Sequence, residues 1–358
     1  MPTPKLSTAR LRNSAANAVR RLPPPRDEAA LALLRSARDL LHGREPNRAA
    51  TARRAAAADE VGPPLPRVAG FPDDHPWRKP PHTDGMGKVV RSVYETGASA
   101  PKYDVELLGQ LNAEYAAKRI VPKPPQYTAP ALASAAQRRL LWAHSMVDLR
   151  DKTVLEIGCG HGLEVWWLAN NLGCDAHGVD VRELGTWAEL ASERVHFHLT
   201  DLALDNPFAP NTFDRIVSYT VLEHVAHPFE LLQTAYDVLK PGGLAWIHAN
   251  LYPGPQASHR YRDLFFPWPH LLFSDDVIKE WDARHGRTTQ GAAWVNRLTW
   301  DHYRRYFGEI GFRMRTLKFW EAKWDQEFYE RFEDVLGRFP KDDLMRDYFV
   351  VVLEKPAD

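Results

Sequence analysis

Short apolar runs alternate with amphipathic stretches through the middle of the chain. The first run, Val154 to Ile157, breaks at alternating glycines, and the chain resumes at Leu163 with helical spacing. This order predicts a strand, a tight turn and a helix. Further apolar runs predict four more strands, at residues 175–181, 195–201, 213–221 and 244–249. Strands that alternate with helices predict an α/β fold with a parallel sheet.

The flanking segments predict the remaining elements. Helices are predicted over Asp104 to Lys118, Ala129 to Leu149, Ser274 to His285, Asp301 to Gly311 and Asp325 to Gly337, and strands over Phe312 to Phe319 and Tyr348 to Glu354. Ser274 has the side chain of a helix N-cap, and Gly311 is typical of a helix end.

The glycines after the first strand predict a ligand site. Gly158, Gly160 and Gly162 let the backbone approach a ligand closely, and the amides of the following helix N-terminus point at it. A dinucleotide fingerprint would need its third glycine at Leu163. The spacing is instead Gly-x-Gly-x-Gly, with Glu156 two residues before the first glycine. A different nucleotide-like ligand is therefore predicted.

This motif resembles motif I of the class I S-adenosylmethionine (SAM) dependent methyltransferases. Asp180 at the end of the second strand, Asp201 at the end of the third and the Leu-Glu-His segment at 222–224 follow in the order and spacing of that family. The resemblance covers roughly residues 130–250. It implies a seven-stranded, mostly parallel, doubly wound α/β sheet with an N-terminal helical extension and an insertion after strand five. It also implies SAM as the cofactor.

The resemblance assigns roles to individual positions. In that family the glycine loop wraps the methionine end of SAM, and an acid in the place of Glu156 helps to organise that end. A carboxylate at Asp180 can accept both ribose hydroxyls, and Asp201 is expected to face the exocyclic amine of adenine. The implied cofactor-binding residues are Glu156, Gly158, Cys159, Gly160, Gly162, Asp180, Val181, Asp201, Leu202 and Tyr219.

Three regions are predicted along the chain. Residues 1–70 form a basic Ala/Arg/Pro-rich extension, flexible or helical, with one amphipathic helix over Asp27 to His42. A solvated tail or a docking helix is the favoured interpretation, and a transit peptide is the alternative. Residues 71–129 form a cap segment, and residues 130–358 form the SAM-binding methyltransferase domain. Four tyrosines of the cap segment either cover the cofactor or simply pack: Tyr94, Tyr103, Tyr115 and Tyr127.

The insertion at 251–298 is rich in aromatic residues and histidine. It leaves strand five at its carboxyl end, where α/β proteins bind substrates. Tyr252, Trp268 and His270 are therefore predicted to bind the acceptor, although a packed subdomain explains the same residues. Aromatic faces beside polar groups favour O-methylation of a sugar hydroxyl in a glycan or related pathway. A polyketide, a phenol or another natural product, methylated on oxygen or nitrogen, is the alternative.

Histidine is the predicted catalytic residue. An alcohol must lose its proton at or near the transition state, and a positioned imidazole commonly accepts it. His259, in a polar loop soon after strand five, is the first choice, and His224 is the second. No metal is predicted, because neither His224 with His227 nor the Asp275-Asp276 pair forms a recognised ligand pattern, and a metal that assists the reaction stays the alternative.

Composition adds few constraints. The formal net charge is zero, so nothing suggests nucleic acid as a partner, and the insertion has no aromatic-basic repeat. Only two cysteines occur, Cys159 and Cys174, without metal spacing, which favours a reducing cytoplasmic setting. No apolar run is long enough to span a membrane. A non-catalytic SAM-binding scaffold and a dehydrogenase are the competing classes, and the sequence leaves the oligomeric state open.

Overall fold

A seven-stranded sheet is the centre of the fold. The structure, a computed structural model, describes residues 103–123, 129–183, 185–287 and 296–357. The strands are β1 (Thr153–Ile157), β2 (Asp175–Asp180), β3 (Val195–Leu199), β4 (Phe213–Tyr219), β5 (Leu239–Asn250), β6 (Arg313–Glu321) and β7 (Arg346–Glu354). Their spatial order is β3-β2-β1-β4-β5-β7-β6. Strands β1 to β5 pair in parallel, and β7 runs antiparallel to both of its neighbours. The predicted mostly parallel sheet is confirmed.

Helices connect and cover these strands. They are α1 (Val105–Glu114), α2 (Ala129–Val147), α3 (Leu163–Leu172), α4 (Trp187–Leu190), α5 (Pro228–Val238), α6 (Pro269–Leu272), α7 (Asp275–Arg284), α8 (Trp300–Ile310), α9 (Gln326–Arg331), α10 (Glu333–Leu336) and α11 (Lys341–Met345), with a 3₁₀ turn at Leu222–His224. Ser274 accepts the N–H of Val277, as its predicted N-cap role requires. None of the helices that the structure describes is long and apolar enough to cross a membrane.

Two of the predicted elements differ from the structure. The single helix predicted over Asp325 to Gly337 is wrong: Phe332, which is buried, has φ −127° and separates α9 from α10. Strand β5 begins at Leu239, earlier than the predicted Leu244, because Leu239 already pairs with Phe213 before the register shifts. In both cases packing decides the local conformation, and the sequence pattern alone did not show it.

The strand order places a crevice between β1 and β4. Chain connections leave these adjacent strands toward opposite sides of the sheet, and ligands of open α/β sheets bind where the order reverses in this way. Apolar side chains cover both faces, as a parallel sheet requires. Ile216 and Phe349 belong to one buried cluster, and Val154 and Trp246 to another. The crevice therefore has a rigid floor.

The insertion builds a separate core with α1. Leu108 of α1 packs in one buried cluster with Phe266 and Trp268 of the insertion and Phe328 of α9. The cap tyrosines that the structure describes belong here: the Tyr103 hydroxyl donates to Asp334 and that of Tyr115 to Asp325, each at 2.7 Å. The positions of Tyr103 and Tyr115 therefore show a packing role and no contact with the cofactor site. Tyr94, Tyr127 and the helix predicted over Asp27 to His42 lie outside the described residues.

A buried ion pair fastens this second core. Arg260 donates to Asp263 and to Asp282, and Asp282 is almost fully buried. A carboxylate in this setting depends on its cation, since removing one partner of a buried pair leaves an uncompensated charge. The loop after β5 is thereby attached to α7.

We predict that Arg260→Ala destabilises the protein by about 3–5 kcal/mol, because the Asp282 carboxylate loses its charge partner. Urea unfolding measures the change. Arg284→Ala is the control: Arg284 pairs with Glu106 and Glu280 at the surface, where solvent screens the charges and such a pair contributes little. Equal losses in the two variants would contradict the structural role of Arg260.

Candidate active site

The glycine loop after β1 is closely packed. Gly158 has φ +77°, and a Cβ added there would lie 2.2 Å from a methyl carbon of Val221. Gly162 has φ +73°, and its Cβ would lie 2.4 Å from the ring of Phe197. Both positions therefore need glycine for backbone conformation and for space. The loop forms a shallow cradle at the amino end of α3.

Asp180 connects the loop to the second strand. Its Oδ2 accepts the N–H of Gly160 at 2.9 Å, and its Oδ1 accepts the N–H of Arg182 at 3.1 Å. The loop and the carboxylate predicted to bind ribose are thus held together. Val181 beside it is 61% exposed, with its side chain open to the crevice mouth or solvent, and Cys159 is buried under the loop.

Asp201 begins the turn after β3. Its carboxylate accepts the N–H of Ala203 at 3.0 Å, and Leu202 between them is buried. One oxygen of Asp201 is therefore committed to the turn. The other is compatible with the adenine contact predicted from the sequence.

Sequence reasoning missed Arg139 of α2. A narrow cleft beside the loop is lined by Arg139, Glu156, Glu164 and Tyr219. The Arg139 guanidinium donates to Glu164 and lies 4.9 Å from the centre of the Tyr219 ring. Burial raises the pKa of Glu156 to about 8, although the charge of Arg139 opposes this rise. A cation and a carboxylate thus face one cleft.

A second group of polar side chains lies after β4 and β5. Glu223 and His224 belong to the 3₁₀ turn, and His259 belongs to the loop after β5. The rings of His224 and His259 meet edge to face with centroids 4.9 Å apart. Burial lowers the pKa of His259 to about 3, and the neighbouring His224 and His270 add to the shift. The structure thus brings both predicted catalytic histidines together, with a glutamate that the sequence reasoning did not single out.

The predicted acceptor residues have different surroundings. Trp268 is buried, and its indole N–H donates to the carbonyl oxygens of Pro253 and Leu344. His270 Nε2 lies 2.7 Å from the carbonyl oxygen of Tyr252, and burial lowers the pKa of His270 to about 4. Tyr252 is buried beneath this contact. Trp268 therefore has a structural position, whereas Tyr252 and His270 border the histidine group.

The residues at the crevice fit SAM. Glu156 Oε2 is buried and has no hydrogen-bond partner among the residues that the structure describes, so it can accept a bond from the ligand's ammonium group. Arg139 in the same cleft suits the ligand's carboxylate. The glycine cradle leaves the space that side chains would fill. The ammonium and the carboxylate of an amino-acid moiety thus each have a polar partner in the cleft.

Comparison with known proteins identifies the domain. Residues 155–247 match the family model of a methyltransferase domain. A ubiquinone biosynthesis O-methyltransferase of Pseudomonas paraeruginosa is 30% identical over 118 residues, which are 30% of this chain and 49% of that protein. A tRNA U34 carboxymethyltransferase of Pseudoalteromonas atlantica is 26% identical over 148 residues, 39% of this chain and 45% of that protein. The chain spans about half the length of the curated relatives it matches.

Solved structures are similar at a lower level. A SAM-dependent methyltransferase from Mesorhizobium loti is 18% identical, with a TM-score of 0.43 over 62% of this chain and 99% of that one. The fold and the glycine loop define a Rossmann-like α/β domain. Residues 155–247 are, more particularly, similar to methyltransferase domains, in agreement with the class I SAM-dependent methyltransferases that the sequence motifs resemble.

We predict that Gly162→Ala lowers both stability and SAM affinity, because the new methyl group displaces Phe197. Gly185→Ala is the matched control, since Gly185 has φ +78° but open space around it. Both variants lose about 1–2 kcal/mol through the left-handed backbone, and only Gly162→Ala adds an overpacking cost of about 1–3 kcal/mol. Thermal unfolding and calorimetry measure the difference; identical behaviour would contradict the close approach.

Glu156 gives a pH prediction. Its folded-state pKa of about 8 exceeds the usual 4.5, so the stability tied to its proton is present below pH 4.5 and is lost as pH rises toward 8. Glu156→Gln removes this loss. The melting temperature of the variant minus that of the wild type should therefore increase between pH 5 and pH 9, whereas exposed Glu183→Gln should show no such trend. A difference that stays constant with pH would refute the burial effect.

Proposed function

We propose that this chain transfers a methyl group from SAM to a hydroxyl oxygen of a small molecule. One observation carries the proposal: the SAM-type cradle adjoins the group formed by Glu223, His224 and His259. Val221, whose methyl groups pack over Gly158, lies two residues before Glu223 on the same turn. A donor site and a set of proton acceptors are thus neighbours at one crevice.

The donor half of the site positions the cofactor. SAM supplies a methyl group on a positively charged sulfur. Asp180 would hold the ribose hydroxyls and Asp201 the adenine edge, while Glu156 and Arg139 would hold the amino-acid end. Such fixed contacts at both ends restrict the methyl group to one direction, and alignment of this kind is a large part of methyl-transfer catalysis.

The acceptor half of the site receives a proton. Burial keeps the His259 imidazole neutral, so it carries the lone pair that a general base needs. A proton that moves to His259 would then lie beside His224 and Glu223, whose ligand atoms are within 4.8 Å of one on His259. The name of the Pseudomonas relative, an O-methyltransferase, supports oxygen as the atom that is methylated.

The acceptor is inferred from the side chains of the insertion. The sequence-based prediction of a sugar relied on aromatic faces beside polar groups in the insertion, and three of these aromatic residues, Phe266, Trp268 and Phe273, are buried. A sugar hydroxyl therefore remains a prediction beside a phenol. At least three of the five arginines of the insertion pair with carboxylates near them, Arg260 and Arg287 with Asp263 and Arg297 with Asp275, which disfavours a nucleic-acid acceptor.

We predict that Asp180→Ala weakens SAM binding by roughly 10- to 150-fold, because about 1.5–3 kcal/mol of charged hydrogen bonding is lost. Calorimetry measures the affinity, and thermal unfolding checks that the glycine loop is still folded. Asp205→Ala, at an exposed position in the turn after β3, is the control. Unchanged SAM affinity in the Asp180 variant would remove the assignment, and tight NADH binding without SAM binding would favour a dehydrogenase.

We predict that His259→Ala lowers kcat about 10²- to 10⁴-fold and leaves SAM affinity intact, since general-base loss typically has this size. A panel of sugars, phenols and tRNA with labelled SAM first identifies the acceptor by mass spectrometry. His227→Ala, on the same segment as His224, is the control. Normal turnover of the His259 variant would place the proton acceptor elsewhere, and no turnover with any acceptor would favour the non-catalytic scaffold.

A further inference from the structure

Glu223 is an unusual buried acid. Its side chain is 2% exposed, and both carboxylate oxygens lack a hydrogen-bond partner in the described part of the chain. Burial raises its pKa to about 8, against smaller effects of the backbone amides of Glu223 and Asn250. Within the same residues, no arginine or lysine acts on this pKa. A buried carboxylate normally has a cationic partner.

His259 has a matching property. Its Nε2 is buried and has no hydrogen-bond partner among the described residues. Its backbone has φ +54°, a left-handed conformation that is uncommon for residues other than glycine and costs about 1–3 kcal/mol. The preceding turn is fixed by Asp347, which accepts both the N–H and the side-chain amide of Gln256. The loop thus holds the backbone of His259 in a conformation that this residue would rarely adopt in a free chain.

The opposite side of the group is equally fixed. The side-chain amide of Asn296 donates to the carbonyl oxygens of Leu222 and Val225, and its backbone N–H donates to that of Glu223. The 3₁₀ turn that carries Glu223 and His224 is therefore immobilised before any ligand arrives. Preorganisation of this kind is what distinguishes a built site from a chance cluster.

The three side chains can converge on one ion. One ligand atom from each of Glu223, His224 and His259 lies within 4.8 Å of the other two. Ligand atoms around a tetrahedral ion are about 3.4 Å apart, given bonds of about 2.0–2.2 Å, so small rotations close the remaining gap. Two imidazole nitrogens and one carboxylate suit Zn²⁺ and similar first-row ions better than Mg²⁺ or Ca²⁺.

We propose that Glu223, His224 and His259 form a binding site for a divalent transition-metal ion such as Zn²⁺ or Co²⁺. The ion supplies the positive charge that Glu223 lacks and uses the lone pair of His259. Three protein ligands leave one tetrahedral position for water or a hydroxyl group, whose pKa the ion lowers. The proposal that these residues bind a metal does not depend on the proposed function, whereas the catalytic role of the ion rests on it.

The test must exclude a second histidine group. Asp175, His177 and His196, at the start of β2 and β3, also lie close enough to hold an ion. In that group Asp175 is exposed and the two histidines are half-buried, and it is hydrogen-bonded within itself, with His196 Nε2 3.1 Å from Asp175 Oδ1. His196→Ala removes it and serves as the background in which the proposed site is measured.

The experiment uses untagged full-length protein carrying His196→Ala. Zn²⁺ is titrated by calorimetry, and Co²⁺ is titrated by its visible absorption. One ion should bind per chain and raise the melting temperature, because binding to the folded state alone stabilises it. Adding Glu223→Gln, or His259→Asn, should each weaken binding at least tenfold. Asparagine tolerates the left-handed backbone, so His259→Asn removes the ligand without adding strain.

SAM affinity of the same samples separates the outcomes. SAM binding that persists while metal binding is lost shows that the variants are folded and supports the inference. The inference is overturned if the background variant binds no ion, or if both added substitutions leave the affinity unchanged. If one added variant fails to fold, the other decides. Metal binding without SAM binding or methyl transfer would instead overturn the proposed function and leave the metal site in place.

Discussion

Close packing over the glycine loop is the constraint on which the rest of the site depends. Val221 leaves no space for a side chain at Gly158, and Phe197 leaves none at Gly162. The ends of β1, β3 and β4 must therefore keep fixed relative positions. Since Val221 also leads into the turn that carries Glu223 and His224, the shape of the cofactor loop is coupled mechanically to the group that faces the acceptor.

Burial raises the pKa of Glu156, Glu223 and Asp347. The surroundings of these three carboxyl groups nevertheless give them different roles. Asp347, with a pKa of about 7, accepts two hydrogen bonds from Gln256 and is structural. Glu156 faces Arg139 across a cleft. Glu223 has neither of these arrangements in the described structure. Because desolvation of an unpaired charge is costly, a group left in this state points to a ligand more strongly than either of the others.

The features that could be predicted from the sequence are those that depend on the local spacing of residues. The glycines, Asp180 and Asp201 stand at fixed positions after their strands, and the order of apolar runs was sufficient for the sheet. Arg139 was missed because it is one of two adjacent arginines on a helix, and only the packing of α2 against α3, β4 and β5 brings it to the cleft that Glu156 lines. The sequence left open whether the aromatic residues of the insertion bind the acceptor or pack in a subdomain, and the contacts with α1 and α9, distant in sequence, bury many of them. Phe332 likewise interrupts a helix through tertiary packing.

His259 shows how position changes the chemistry of a correctly chosen residue. The sequence pointed to a polar loop histidine with an ordinary pKa, suited to take a proton from an alcohol. In the fold its imidazole is buried beside two other histidines, and its pKa falls to about 3. A base so weak accepts a proton only with help from the groups around it, and its neutral nitrogen is also an effective metal ligand. An ion held there would acidify a hydroxyl directly, and the strained backbone at His259 would then serve to keep that ligand in place.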